Sequence, residues 1–146
     1  MVVMARWAGL WLLLCGGLAH AGWLKFAESA APDGAGVTYY DPMMVARLAD
    51  GKIGVWEKDV RSAASVIERR KKYGLPTARF ENFAYTLQRI IIDCRQRQYA
   101  VVSVKDYSRE GELLDVIDRS MPEWQFNDIA PGSITDVLMK RVCEFE

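Results

Sequence analysis

Phe83-Ala84-Tyr85-Thr86-Leu87-Gln88-Arg89-Ile90-Ile91-Ile92-Asp93 is the stretch on which the fold turns. Its run Ile90-Ile91-Ile92 is β-branched, loses side-chain freedom in a helix and prefers a pleated surface. Tyr85 and Leu87 fall on one parity, and Ile90, Ile92 and Cys94 on the other. That switch implies either a bulge near Gln88 and Arg89 or a strand covered on both faces. Arg95-Gln96-Arg97 reads as a polar turn, and Gln98 to Tyr107, with Tyr99, Val101, Val102 and Val104, returns as the next strand.

Upstream, the same grammar of short strands and turns repeats. Trp23-Leu24-Lys25-Phe26 alternates as a first strand, and the small residues from Ala30 to Gly36 turn the chain into Val37-Thr38-Tyr39-Tyr40. Asp41-Pro42 ends that strand and can start a helical turn over Met43 to Leu48, with Asp41 as its cap. Asp50-Gly51 is a turn signal, and Lys52 to Val60 follows as a strand carrying Ile53, Val55 and Trp56. Between Arg61 and Arg79 the pattern breaks. Ser62 to Lys72 fits a short helix, with Val66, Ile67 and Arg70 at helical spacing, stopped by Gly74 and Pro76.

Downstream, Leu113 to Ile117 is a sixth strand, and Pro131-Gly132 introduces a helix capped by Ser133 with Asp136 three residues on. Ile134, Val137, Leu138, Arg141, Val142 and Phe145 share helical spacing, so this face should pack on the sheet.

The first 21 residues, MVVMARWAGLWLLLCGGLAHA, have the pattern of a secretory leader: Arg6, an apolar run, a glycine pair, and the small-residue site Ala19-His20-Ala21. The expected division is a signal peptide over 1–21 and one domain over 22–146. The competing readings are an uncleaved anchor and a lipoprotein at Cys15. The second conflicts with the bulky Leu14 before that cysteine. Cleavage leaves a chain in the periplasm, at the cell surface or secreted, with no stable membrane insertion.

Nineteen Lys and Arg balance nineteen Asp and Glu, and losing Arg6 leaves eighteen against nineteen, which argues against a nucleic-acid partner held by net charge. The single histidine, His20, leaves with the leader, taking with it the commonest metal ligand and general base. Cys94 and Cys143 remain. In an oxidising compartment two such thiols pair into a structural bridge, whereas free thiols or a redox pair would be the alternatives, without a CxxC spacing. From the last turn of the final helix Cys143 can reach Cys94 at a strand end.

Several groups are candidates for function. Arg69-Arg70-Lys71-Lys72 reads either as a basic patch for an anionic partner or as a solvated loop tip. Tyr39, Tyr40, Trp56, Tyr107 and Trp124 could stack on a sugar or a planar ligand, or simply pack the core and sheet faces, Trp56 foremost. Haem would need an axial Tyr or Met, and neither a cofactor nor a metal is expected. Glu110, Glu112, Asp115 and Asp118 could supply acid and base roles, but they alternate with Leu113, Leu114, Val116 and Ile117 as the wet side of a half-buried strand does, so no catalytic residue is assigned.

Together these pieces resemble the surface-adhesin protein E family of exported Gram-negative domains. The resemblance rests on Trp23, the Val37 to Pro42 strand and turn, Gly51-Lys52-Ile53-Gly54-Val55-Trp56, Ile92-Asp93-Cys94 with Arg97-Gln98-Tyr99, Trp124, Ile129-Ala130-Pro131-Gly132-Ser133 and Cys143. It implies an α+β fold, an antiparallel sheet of about six strands with one C-terminal helix packed on it. It also implies a non-enzymatic module, since some relatives dimerise and bind host extracellular-matrix or serum proteins. This chain departs from the family in its long Arg61 to Arg79 segment and in lacking a lipidation box. The expected function is adhesin-like recognition of extracellular proteins by a surface that includes Arg69, Arg70, Lys71, Lys72, Tyr39 and Trp124. A soluble periplasmic domain with a structural or stress-related role is the competing class. A homodimer through the edge around Trp23 to Phe26 is a further expectation.

Export should remove residues 1–21. The intact mass of the exported protein is expected to correspond to a chain starting at Gly22; a species retaining Met1 in the membrane fraction would refute the leader.

Overall fold

A computed structural model describes residues 22–30 and 34–144. The expected leader and Phe145 lie outside the described residues. The strands are β1 (Leu24–Ser29), β2 (Gly36–Tyr40), β3 (Ala46–Arg47), β4 (Ile53–Arg61), β5 (Phe83–Asp93), β6 (Gln98–Ser108), β7 (Leu113–Asp118) and β8 (Asn127–Asp128). The helices are α1 (Ala63–Lys72) and α2 (Ile134–Cys143). Six strands run side by side, all antiparallel, in the order β1-β2-β4-β5-β6-β7, and the fold is α+β as expected. β3 continues the flank of β4 beyond β2, and β8 continues the flank of β6 beyond β7.

Local chemistry explains the elements. The helical turn expected over Met43 to Leu48 is only a 3-10 turn, Pro42–Met44, with Asp41 Oδ1 accepting the Met43 N–H at 2.9 Å. It stops there because Ala46 and Arg47 pair with Gly54 and Ile53, so their backbone groups are satisfied by β4 rather than by a helix. Helix α1 is capped by Ser62, whose hydroxyl accepts the Ser65 N–H. It ends in a Schellman motif at Gly74: Leu75 N–H reaches Arg70 O, Gly74 N–H reaches Lys71 O, and Gly74 takes the left-handed φ of 65°. Helix α2 starts where the sequence places it. Ser133 accepts the Asp136 N–H, and Asp136 in turn accepts the Gly132 N–H at 2.9 Å.

Of the two readings of the β5 parity switch, cover on both faces holds, and the bulge expected near Gln88 and Arg89 lies across the ladder in β6 and not in β5. β5 pairs regularly with β4, but between Arg89–Ser103 and Ile90–Val101 the partner β6 carries one extra residue, Val102. At this end the sheet is also covered on both sides. On one face Ile53, Val55, Ile90 and Ile92 pack beneath Leu138, Met139 and Val142 of α2. On the other, Ile91, Ala100 and Val102 lie beneath Leu48, Trp124 and Phe126.

Helix α1 covers the far end of the same face as α2, where Val66 packs with Phe80 and Phe83. Its Arg70 turns inward, stacks on the Phe80 ring with the guanidinium carbon 3.8 Å from the centroid, and pairs with Asp106 and Asp115 at 3.6 and 2.8 Å.

Cys94 and Cys143 form a disulfide with Cα atoms 6.0 Å apart, closing a separation of 49 residues. Beside it Asp136, almost wholly buried, accepts hydrogen bonds from Gly132 N–H, Lys140 and Arg97, which hold its carboxyl down to about 2. Because that value lies below the unfolded one, this network contributes stability above pH 4 and loses it as pH falls toward 2.

Replacing Cys94 or Cys143 by Ser should lower stability by ~4 kcal/mol on the chain-entropy estimate for a loop of this size. Chemical denaturation of the non-reduced protein measures it. Native thiols that alkylate readily in the parent would contradict the bridge.

Candidate functional site

Neither helix lies on the second face of the sheet toward its β1–β7 breadth, and side chains there form rows fixed by strand register. Lys25, Tyr39, Lys58, Leu87, Lys105 and Val116 stand in line, one on each of the six strands. A parallel row holds Trp56, Arg89, Ser103 and Asp118. Aromatic rings sit between the cations. Lys58 Nζ is 4.3 Å from the Tyr85 centroid and 5.8 Å from that of Trp23, Lys105 Nζ is 5.8 Å from Trp56, and Tyr85 stacks on Tyr107 at 5.2 Å. Such contacts hold long side chains flat against the pleat. Among the described residues Lys58, Lys105 and Arg89 have no carboxylate partner, whereas Lys25 is paired with Glu28.

The first face carries a different arrangement. Between α1 and α2 a cleft of about 220 Å³ is lined by Thr38, Glu57, Asp59, Arg61, Arg69 and Gln88, with Ile90, Val101 and Ile134 as apolar walls. Val55, Glu57 and Asp59 share one parity of β4, so the strand that buries Val55 under α2 must turn its carboxylates into the gap beyond that helix. Glu57 is 7% and Asp59 8% exposed. Asp59 Oδ2 pairs with Arg61 at 2.6 Å, but Asp59 Oδ1 is buried without a hydrogen-bond partner. The Glu57 carboxyl likewise has no hydrogen bond or ion pair among the described residues. Burial, then the charge of Asp59, raises Glu57 to about 7, against a smaller opposing pull from Arg61. A second cavity of about 320 Å³ adjoins this cleft under α1, where burial raises Asp106 against the Thr86 hydroxyl and Arg70. Thr86 Oγ1 donates to Asp106 at 2.6 Å.

A sequence model described as Surface-adhesin protein E matches residues 23–144. The chain belongs to the surface-adhesin protein E family. Neither the curated proteins nor the solved structures hold a significant match to it. The matched span includes the disulfide, both helices and every strand, so the family describes the whole sheet with its two covered ends.

Within this adhesin-family domain the residues singled out in the sequence do not share one surface. Tyr39 stands on the uncovered face between Lys25 and Lys58. Trp124 is half-buried over Ile91 on that side of the sheet, its Nε1 donating to Arg119 O. Arg69, Arg70, Lys71 and Lys72 occupy the last turn of α1 rather than a loop tip. They diverge: Arg70 is internal, Arg69 lines the cleft, Lys71 pairs with Glu68, and Lys72 lies by Tyr73. Glu110 and Glu112 sit at the β6–β7 turn, where their N–H groups donate to Ser108 Oγ, while Asp115 is held by Arg70 and Asp118 accepts from Ser103. Among the described residues no group of three or more His, Cys, Asp and Glu could hold a metal ion, and no helix is long and apolar enough to cross a membrane.

Glu57 sets a pH signature. Its ordinary value of 4.5 rises to about 7 on folding, so the folded state holds the proton more tightly and stability falls as pH climbs between those values. Glu57→Gln removes that penalty: a gain of roughly 3 kcal/mol is expected at pH 8 and little change at pH 4. Urea denaturation at both values tests this, and equal gains at both would show that Glu57 titrates normally.

Proposed function

We propose that this protein is an exported, non-enzymatic binding domain that recognises extracellular proteins in the manner of an adhesin, through the uncovered face of its sheet. The observation that carries the reading is the row Tyr39, Lys58, Leu87 and Lys105 with its flanking Trp56 and Arg89: half-buried cations without carboxylate partners, interleaved with aromatic rings. Aromatic side chains supply rigid contact area at low entropic cost, and unpaired cations select an acidic surface and speed encounter. The partner is therefore an acidic segment of an extracellular protein. Family membership supports the same class of role. Tyr39 from the sequence reading belongs to this surface; Arg69 to Lys72, on the other face, do not.

Self-pairing of two copies through β1 is a separate proposal. β1 is an outer strand, but it carries a bulge at Phe26 and the Lys25–Glu28 pair, and both features blunt an edge. Sedimentation at micromolar concentration decides: a monomer mass throughout removes the dimer.

Binding of the exported protein to immobilised extracellular matrix should fall at least about tenfold in a Lys58→Glu/Lys105→Glu variant, and parent binding should weaken with salt. Unchanged binding would place recognition elsewhere. An antibody that reaches the protein only after the cells are permeabilised would favour the periplasmic structural role instead.

A further inference from the structure

The cleft between α1 and α2 is not used by the proposed protein-binding face, and it holds three polar groups whose bonding is incomplete. The Glu57 carboxyl is nine-tenths buried without a hydrogen bond or ion pair, and Asp59 Oδ1 is buried and orphaned. At the rim Arg69 is exposed and likewise makes no hydrogen bond or ion pair among the described residues. Arg61 makes no hydrogen bond to Glu57: its Nε–H donates to Asp59 Oδ2 and its Nη1 to Gly34 O, and it acts on Glu57 only through its charge. Ionising a buried carboxylate without a donor is costly, and the Glu57 oxygens, unlike Asp59 Oδ1, keep some surface in the cleft, where a ligand's donors can reach them. Two carboxylates and no third metal-ligating group make a poor cation cage. They make a good receptor for an ammonium, which brings three donors.

The rest of the lining narrows the class. Ile90, Val101 and Ile134 offer an apolar wall, Thr38 and Gln88 offer further polar atoms, and about 220 Å³ is room for one small molecule. We propose that this cleft binds an α-amino acid, with its ammonium on the Glu57 carboxylate beside the charge of Asp59, its carboxylate on Arg69 and its side chain against Ile90, Val101 and Ile134.

The charges around Glu57 are Asp59 and Arg61 on its own strand and Arg69 on α1, while Tyr40 is its register partner on β2 and Tyr99 lines the cleft from β6. Glu57, raised to about 7, changes charge near neutrality. Ammonium binding therefore stabilises its ionised form, and affinity rises with pH through that range.

Calorimetry on the exported protein with L-norvaline, butylamine and butyrate tests the assignment. Norvaline is expected to bind, butylamine about tenfold more weakly for want of the Arg69 contact, and butyrate not at all. Norvaline affinity should drop about tenfold or more from pH 8 to pH 5.5. Glu57→Gln should abolish norvaline binding while the fold persists, checked by the stability gain described above, and Arg69→Ala should reduce norvaline to the level of butylamine. Absence of norvaline binding at millimolar concentration, binding that survives Glu57→Gln, or preference for butyrate each overturns the proposal. Matrix binding by the opposite face, measured on the same Glu57→Gln protein, is expected to be unchanged, so the two readings fail separately.

Discussion

The constraint on which the rest depends is the seating of α2 on one end of the sheet. Leu138 and Val142 are almost wholly buried against Ile53, Val55, Ile90 and Ile92, and the helix is pinned at its C-terminal end by the disulfide and at its N-terminal end by Asp136. A ten-residue helix has little stability of its own, so packing and the covalent link hold it. Being short, it covers only part of the sheet. A second short helix, α1, covers the other end with a small cluster around Phe80 and Phe83 and with the buried Arg70. What lies between them is neither core nor open surface.

That division explains the distribution of charge. Where α2 sits, β4 presents Ile53 and Val55; two residues further the same face presents Glu57 and Asp59. The opposite face has no helix over the row from Tyr39 to Lys105, and it is filled by lysines laid across aromatic rings. The molecule thus sets two buried carboxylates in a narrow gap on one side and a row of lysines without carboxylate partners on a broad plane on the other, while the net charge stays near zero. Composition alone hides such a separation.

Much of the architecture was legible in the chain. The β-branched run in β5, the turn at Arg95 to Arg97 and the Ser133 and Asp136 start of α2 are local signals that tertiary packing reinforces. Other features depend on what covers a strand. Arg70 reads as one charge among four, and only the placement of Phe80 and Asp115 turns it inward. Trp124 reads as a platform residue, but the return of the chain toward β8 lays it over Ile91. The carboxylates of the cleft did leave a trace: Glu57 and Asp59 continue the parity of Ile53 and Val55, the parity expected of the core. Their burial is not legible from the sequence, because polar residues in a strand ordinarily face water.

The extra residue in β6 carries a meaning for how this strand encodes two environments. Before Val102, the odd-numbered residues Tyr99 and Val101 face α2; after Ser103, the even-numbered Val104 and Asp106 take that side. One inserted residue rephases the strand. It lets a single segment spend its first half as a two-sided wall of hydrocarbon and its second as a divider, with Lys105 and Tyr107 on the plane and Asp106 in the hollow. The hollow between the helices is thus bordered on this side by residues whose facing is set by one residue in the backbone count.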